Sequence, residues 1–130
     1  MHAILYVAGR ASRLGALAAS RNKVLFEFEG KSLFERHVLL LARAAVTRIY
    51  VVTGHLREQL QATFPTLEAR YGVKLTELYN PDYTEGSVLS MHASLPVLTA
   101  GGDPVLIMDG DVADGRMLAR LIESPHLPLY

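Results

Sequence analysis

A short apolar run opens the chain and stops abruptly at a glycine. Residues 3–8 read Ala-Ile-Leu-Tyr-Val-Ala, which has the length and composition of a fully buried strand. Strands are predicted at residues 4–7, 47–52, 74–79 and 104–108, and they alternate with helical patterns at 33–44, 56–70, 88–98 and 116–122. This alternation implies βαβ units with right-handed crossovers, and therefore an α/β fold with a mostly parallel sheet covered by helices.

The loop after the first strand has the composition of an anion-binding loop. Residues 9–15 hold two glycines, two arginines and a serine. Glycine lets the backbone approach a ligand closely, successive backbone N–H groups can line a phosphate oxygen, and arginine matches phosphate geometry. Lys23, ten residues after Arg13, adds a mobile charge that could reach a second phosphate. An ordinary strand-to-loop turn with solvated arginines is the alternative, and the loop alone does not decide between the two.

Known glycine-rich phosphate motifs do not fit this loop. No Gly-Lys-Ser/Thr closes it, so it is not a P-loop. The pattern Gly9-x-Ala11-x-x-Leu14 lacks the second and third glycines of the dinucleotide fingerprint.

Two carboxylates follow the last predicted strand. Asp109 and Asp111 flank Gly110, and ligands of open α/β sheets sit beyond the carboxyl ends of the strands. The aspartates and the Arg13 loop are therefore expected to face one crevice, where paired carboxylates beside phosphates suit Mg²⁺. Asp-Gly-Asp also occurs in ordinary turns. The five histidines have no zinc-ligand spacing and are interpreted as structural or surface residues.

Two further segments are interpreted as the starts of helices. Ser32, with Glu35 three residues later, predicts a capping box after a turn at residues 27–30. After the third strand, Asn80-Pro81 forms a turn, and Gly86-Ser87 leads into an apolar helix whose N-terminus Ser87 could cap.

Composition excludes several classes of protein. The 130 residues carry 13 basic and 13 acidic side chains and no cysteine. A dedicated nucleic-acid or membrane-surface protein would show a basic field, and without cysteine there is no disulfide framework or thiolate chemistry. No run approaches a membrane span, and the start lacks the order of a signal peptide. A single cytoplasmic domain without nucleic-acid or membrane partners is predicted.

Residues 8–15, Ala-Gly-Arg-Ala-Ser-Arg-Leu-Gly, together with Lys23, resemble the signature of the nucleotidyltransferases with a GT-A-type fold. These enzymes join a nucleoside triphosphate to a phosphorylated small molecule. They include sugar-1-phosphate nucleotidyltransferases, phosphocholine cytidylyltransferases and molybdenum-cofactor nucleotidyltransferases. Their usual pattern is Gly-x-Gly-Ser/Thr-Arg-Leu followed by Pro-Lys. Ala11 and Asn22 depart from it, and Asn22 is expected to matter less because Lys23 keeps its charge.

The resemblance implies a Rossmann-like three-layer α/β/α fold and a set of site residues. By the resemblance, Arg13 holds the β- and γ-phosphates with the loop backbone, and Lys23 stabilises charge on the α-phosphate. Asp111, with Asp109 as second choice, holds Mg²⁺. The segment from Asn80 resembles the phosphocholine cytidylyltransferase branch, which favours CMP transfer. The nucleotide-binding residues implied are Ala8, Gly9, Arg10, Ala11, Ser12, Asn80 and Ser90.

The resemblance covers only the N-terminal, nucleotide-binding half of the family fold, so the chain is apparently truncated relative to the family. Residues 1–130 are expected to bind a nucleoside triphosphate and to transfer its nucleoside monophosphate to a phosphocholine-like acceptor or a sugar 1-phosphate. The alternatives are an inactive nucleotide-binding module, a molybdenum-cofactor-type relative, or an interaction domain without a ligand. An uncovered fourth strand would be an exposed edge, so a homo-oligomer is a further expectation.

Overall fold

A computed structural model describes residues 1–8, 21–85, 87–110 and 115–123. Its strands are β1 (His2–Tyr6), β2 (Glu27–Phe28), β3 (Lys31–Ser32), β4 (Arg48–Thr53), β5 (Lys74–Tyr79) and β6 (Val105–Asp109). Its helices are α1 (Leu33–Arg43), α2 (Arg57–Gln61), α3 (Phe64–Tyr71), α4 (Ser87–Leu98) and α5 (Gly115–Glu123), with 3₁₀ turns at Lys23–Leu25 and Tyr83–Glu85.

The central sheet is parallel and has the strand order β5-β4-β1-β6. Strand β1 lies in the middle because it is apolar on both faces. Ala3 and Leu5 belong to the larger core cluster, with side chains from α1, α3 and α5, whereas Ile4 belongs to a second cluster with side chains from α4. The predicted three-layer α/β/α arrangement is therefore confirmed.

One edge of the sheet carries exposed apolar side chains. Among the described strands, β6 pairs with β1 and with no other. Ile107 of β6 is 48% exposed, and Val88, Met91 and Leu95 of α4 are also exposed. In the register of the sheet Ile107 lies beside Ile4, so it is on the face that α4 covers. The exposed Ile107, at the outer edge of β6, is called the apolar edge below.

The helix predicted over residues 56–70 is two helices, so that prediction was wrong. Helix α2 ends at Gln61 and α3 begins at Phe64. Pro65 explains the break, since proline has no N–H to donate and its ring clashes with the carbonyl four residues earlier. The Thr63 N–H and hydroxyl both donate to the Leu60 carbonyl, at 2.9 and 2.7 Å, at the end of α2.

A tight hairpin carries the chain into α1. The turn predicted at residues 27–30 is the end of this hairpin, in which Glu29 and Gly30 both have positive φ values of 51° and 82°. Two such residues between antiparallel strands fit a type I′ turn. Ser32 then caps α1, because its Oγ accepts a hydrogen bond from the Glu35 N–H at 3.0 Å. The first half of the predicted capping box is therefore confirmed.

The Glu35 carboxylate turns away from the cap and joins α1 to α3. It accepts hydrogen bonds from Arg70 at 2.5 Å and from the Tyr71 hydroxyl at 2.6 Å. Burial raises the pKa of Glu35, but the hydrogen bonds from Tyr71 and Arg70 outweigh it, so the pKa lies below its ordinary value of 4.5. Burial and the hydrogen bond to Glu35 raise the pKa of Tyr71.

A Glu35→Gln variant is expected to lose about 1 kcal/mol of stability at neutral pH, because the ion pair with Arg70 is lost. The loss is no larger because Arg70 is half exposed and therefore screened by solvent. The folded-state pKa of Glu35 is depressed, so its contribution is present above the unfolded value near 4.5 and disappears as pH falls through the folded value. Urea unfolding at pH 7 and below pH 4 measures this, with Glu29→Gln in the exposed turn as control. A gap between wild type and Glu35→Gln that stays constant with pH would contradict the prediction.

No helix in the described ranges is long and apolar enough to span a membrane.

Candidate functional site

Backbone hydrogen bonds join the ends of three strands at the carboxyl edge of the sheet. The Ala8 carbonyl, just beyond β1, accepts from the N–H of His55 beyond β4 at 3.1 Å. The Tyr6 carbonyl accepts from the N–H of Gly110 beyond β6 at 2.9 Å. The chain therefore leaves Ala8 between the ends of β4 and β6. The predicted residues Gly9, Arg10, Ala11, Ser12 and Arg13 follow directly and lie outside the described residues.

Gly110 is required by a close approach at this edge. A Cβ atom at Gly110 would lie 2.7 Å from Val7 Cγ1 and 2.8 Å from the Tyr6 carbonyl oxygen. It would also lie 3.5 Å from Val24 Cγ1. Because Val24 follows Lys23, this contact brings the Lys23–Leu25 turn beside the end of β6. The structure thus gathers Ala8, the Lys23 turn and the Asp109-Gly110 segment at one place.

Asn22 anchors the Lys23–Leu25 turn. Its fully buried side chain accepts from the Val24 N–H at 3.1 Å and donates to the His55 carbonyl at 2.8 Å. Its own N–H donates to Gln59 Oε1 at 2.8 Å. The sequence predicted no role for Asn22 beyond its position before Lys23, whereas in the structure Asn22 connects the turn to the end of β4 and to α2.

Of the two candidate metal ligands, Asp109 is described and Asp111 is not. Asp109 ends β6, is exposed, and lies beside Tyr6 in the register of the sheet. Tyr6 packs in the cluster on the α4 face, and its hydroxyl bonds Ser94 Oγ of α4 at 2.7 Å. Asp109 is therefore on the α4 face, at the carboxyl edge. In the described part of the chain, no group of three or more His, Cys, Asp or Glu side chains is arranged to hold a metal ion.

Asn80 and Ser90 contact each other. The Asn80 Nδ2 donates to Ser90 Oγ at 3.0 Å, and Asn80 Oδ1 accepts from the Asp82 N–H at 2.9 Å. The Asn80 N–H donates to the Thr53 carbonyl at 2.8 Å, and both Asn80 and Ser90 are buried. This arrangement fixes the segment between β5 and α4 against the end of β4. Direct contact of either side chain with a nucleotide stays a prediction.

Tyr83 was not singled out by the sequence as a site residue. It packs on Gly54, where a Cβ atom would come within 2.5 Å of Tyr83 Cβ, and its ring lies 5.8 Å from that of His55. Gly54 is therefore needed for this close approach and is more than a turn residue. The available signal was an aromatic residue three positions after Asn80, in a segment that faces the end of β4.

A separate group of charges lies on β5 and α2. Glu77 forms an ion pair with Arg57 and accepts from Thr53 Oγ1 at 2.8 Å and Gln61 Nε2 at 3.0 Å. The hydrogen bond from Arg57 to Glu77 raises the pKa of Arg57, whose guanidinium lies 4.0 Å over the ring of Tyr79. All the charges in this group are paired, which fits a structural role.

A cavity of about 650 Å³ lies near α1, α2 and α3. Arg21 and Arg70 line it together with Glu27 and Glu35. The four charges of the described lining cancel. Ala8, Lys23, Asn80, Ser90 and Asp109 are not among the described residues that line it.

A parallel sheet covered by helices defines an α/β protein, a class whose ligands lie beyond the carboxyl ends of the strands. The chain belongs to the MobA-like NTP transferase domain family, whose model matches residues 3–126.

Two curated relatives are each about twice as long as this chain. It is 34% identical over 115 residues to a 2-aminoethylphosphonate cytidylyltransferase of Lancefieldella rimae, covering 87% of this chain and 44% of the relative. It is 32% identical over 114 residues to an N-acetylmuramate alpha-1-phosphate uridylyltransferase of Neisseria meningitidis, covering 86% of this chain and 47% of the relative. The chain thus spans less than half of either relative.

A solved structure also resembles this chain over less than half of its own length. The CTP:phosphocholine cytidylyltransferase of Streptococcus pneumoniae superposes with a TM-score of 0.66 at 27% identity, over 85% of this chain and 44% of that one. The resemblance to nucleotidyltransferases predicted from residues 8–15 and Lys23 is confirmed.

Proposed function

We propose that residues 1–130 are the nucleotide-binding part of a Mg²⁺-dependent nucleotidyltransferase. It would bind a nucleoside triphosphate and transfer the nucleoside monophosphate to a phosphorylated small molecule, releasing pyrophosphate. The convergence of Ala8, the Lys23 turn and the Asp109-Gly110 segment at one sheet edge, in a member of this family, carries the proposal.

CMP is the favoured group to be transferred. The Lancefieldella and Streptococcus proteins are both named as cytidylyltransferases, and their named acceptors are 2-aminoethylphosphonate and phosphocholine. A phosphorylated or phosphonate amine is therefore the favoured acceptor. The Neisseria protein is a uridylyltransferase that acts on a sugar 1-phosphate, which keeps a sugar 1-phosphate as the alternative.

The chemistry needs no covalent intermediate on the protein. A phosphate oxygen of the acceptor attacks the α-phosphorus. The bond between the α-phosphorus and the oxygen that bridges it to the β-phosphate breaks, and pyrophosphate leaves. Arg13 and the backbone of residues 9–12 would hold the β- and γ-phosphates. Lys23 would stabilise the negative charge that grows on the α-phosphate.

Asp109 and Asp111 would hold Mg²⁺. Asp109 supports a hard cation here, because its exposed carboxylate lies where β6 ends and the next residue, Gly110, lies close to Val24 of the Lys23 turn. When bound, Mg²⁺ neutralises and orients the phosphates.

A nucleotide-binding module without turnover is the second candidate function. In this candidate, residues 1–130 bind the triphosphate without transferring its nucleotide; they span less than half of the relatives named above. Another copy of the chain could pair with β6 and cover the apolar edge, which keeps a homo-oligomer as a proposal. A cytoplasmic location also stays a prediction.

Thermal unfolding with each of the four ribonucleoside triphosphates and Mg²⁺ tests the proposal. One triphosphate, expected to be CTP, should raise the melting temperature of wild type, since a ligand at about 100 times its Kd adds about 2.7 kcal/mol. Asp111→Ala should reduce this shift. Asp103→Ala is the matched control, because Asp103 is exposed at the opposite, amino end of β6.

The outcomes separate the candidates. A shift that depends on Asp111, followed by acceptor-dependent release of pyrophosphate, supports the transferase. The same shift without release supports the binding module. If no triphosphate raises the melting temperature, nucleotide binding by this chain is contradicted.

A further inference from the structure

Ala8 and Asn22, the residues that flank residues 9–21, are both hydrogen-bonded to the backbone of His55. Ala8 precedes the segment and accepts a hydrogen bond from the His55 N–H at 3.1 Å. Asn22 follows it and donates from Nδ2 to the His55 carbonyl at 2.8 Å. One residue beyond β4 therefore joins both ends of the predicted phosphate loop through its backbone.

We propose that Asn22 is a positioning residue for phosphate binding, which attaches the Lys23 turn to His55, the residue that also binds Ala8, and holds Lys23 in place. This inference rests on the proposed function, because it assumes that the loop and Lys23 contact the triphosphate. Asn22 itself is fully buried, so it acts through its hydrogen bonds to Val24, His55 and Gln59.

Local geometry supports the effect on Lys23. The Asn22 side chain accepts from the Val24 N–H at 3.1 Å, and the Asn22 carbonyl accepts from the Leu25 N–H at 3.0 Å. Lys23 lies inside both hydrogen-bonded rings, so its backbone is fixed on either side. The Lys23 side chain therefore extends from a fixed backbone, next to Val24, whose side chain lies close to Gly110.

The third hydrogen bond connects the turn to a helix. The Asn22 N–H donates to Gln59 Oε1 of α2 at 2.8 Å. Asn22 thereby makes contacts 33 and 37 residues away along the chain. Each bond restricts the turn relative to the sheet edge, and a preorganised loop binds phosphates at a lower cost in ordering.

Proline would achieve part of this by another route. Asn22 has φ −63° and ψ 133°, and proline fixes φ near −65°. A proline at this position would keep the backbone shape, but it has neither an N–H for Gln59 nor an amide for His55. Hydrogen-bonded closure and a fixed φ are therefore separable by substitution.

Titration calorimetry with the triphosphate that stabilises wild type, in the presence of Mg²⁺, tests the inference. Asn22→Ala should weaken binding about tenfold, in line with the loss of buried hydrogen bonds. Asn22→Pro should bind no better than Asn22→Ala. Gln59→Met, which removes one of the bonds, should weaken binding about threefold and serves if the Asn22 variants fail to fold.

Tyr71→Phe is the matched control for a loss of stability alone. It removes the hydrogen bond to Glu35, away from the site, so its melting temperature should fall while its Kd stays at the wild-type value. If the Asn22 variants lose stability but keep the wild-type Kd, Asn22 is only structural and the inference is overturned. Wild-type affinity in Asn22→Pro would overturn it too, because a fixed φ would then suffice.

The test also separates this inference from the proposed function. Absence of triphosphate binding by wild type would contradict the function and the inference together. Normal binding by wild type, with unchanged affinity in Gln59→Met and both Asn22 variants, would overturn the positioning role alone.

Discussion

Gly110→Ala is expected to lower the free energy of unfolding by about 2–3 kcal/mol, the upper part of the range for overpacking a core. The added Cβ would lie 2.7 Å from Val7 Cγ1 and 2.8 Å from the Tyr6 carbonyl oxygen. The Tyr6 oxygen belongs to the central strand and accepts the Gly110 N–H, so it has little freedom to move. Relief of the contact therefore requires the end of β6 to shift, and Asp109 with it.

Urea unfolding should show the lower free energy of unfolding, and triphosphate binding should be weaker because Asp109 shifts. Gly101→Ala is the control, because no atom lies within 4 Å of its added Cβ and only its φ of 73° is unfavourable, at about 1 kcal/mol. Gly101→Ala should therefore lose less stability and keep its affinity for the triphosphate. If Gly110→Ala is as stable as wild type, the convergence of β1 and β6 is looser than described.

Lys23→Met is expected to weaken triphosphate binding by roughly tenfold to a hundredfold. The variant keeps an unbranched side chain but removes the charge proposed to contact the α-phosphate, and a hydrogen bond to a charged group contributes about 1.5–3 kcal/mol. The loss should be smaller at high salt, because salt screens exposed charges. Calorimetry at two salt concentrations measures both effects.

Lys74→Met is the matched control for that experiment. Lys74 is exposed and begins β5 at the amino end of the sheet, opposite the site. Lys74→Met changes the net charge of the protein by the same amount as Lys23→Met. Equal weakening by Lys23→Met and Lys74→Met would mean that the triphosphate responds to overall charge, and the role of Lys23 would be rejected.

The sheet and its carboxyl edge could be predicted because the signals are local. An apolar run such as residues 3–8 is complete in itself, and a parallel sheet brings the ends of such runs together. The helix over 56–70 was predicted wrongly because the apolar pattern was given more weight than Pro65. The proline signal was present in the sequence.

The anchoring of the turn could not be predicted because its partners are distant in sequence. Asn22 binds His55 and Gln59, which are 33 and 37 residues away. The carboxylate of Glu35 likewise binds Arg70, 35 residues away, and not the backbone of its own cap. A single sequence identifies a good capping residue, but the fold decides which partner its side chain reaches.

Among the described residues no strand pairs with the outer edge of β6, and this has a practical consequence for work with residues 1–130. A strand edge that offers unpaired N–H and C=O groups beside apolar side chains is a template for another strand. Light scattering and melting temperature should therefore depend on protein concentration, and a charged substitution at Ile107 should reduce that dependence. Ligand titrations are best made at concentrations where such strand addition, and with it aggregation, is slow.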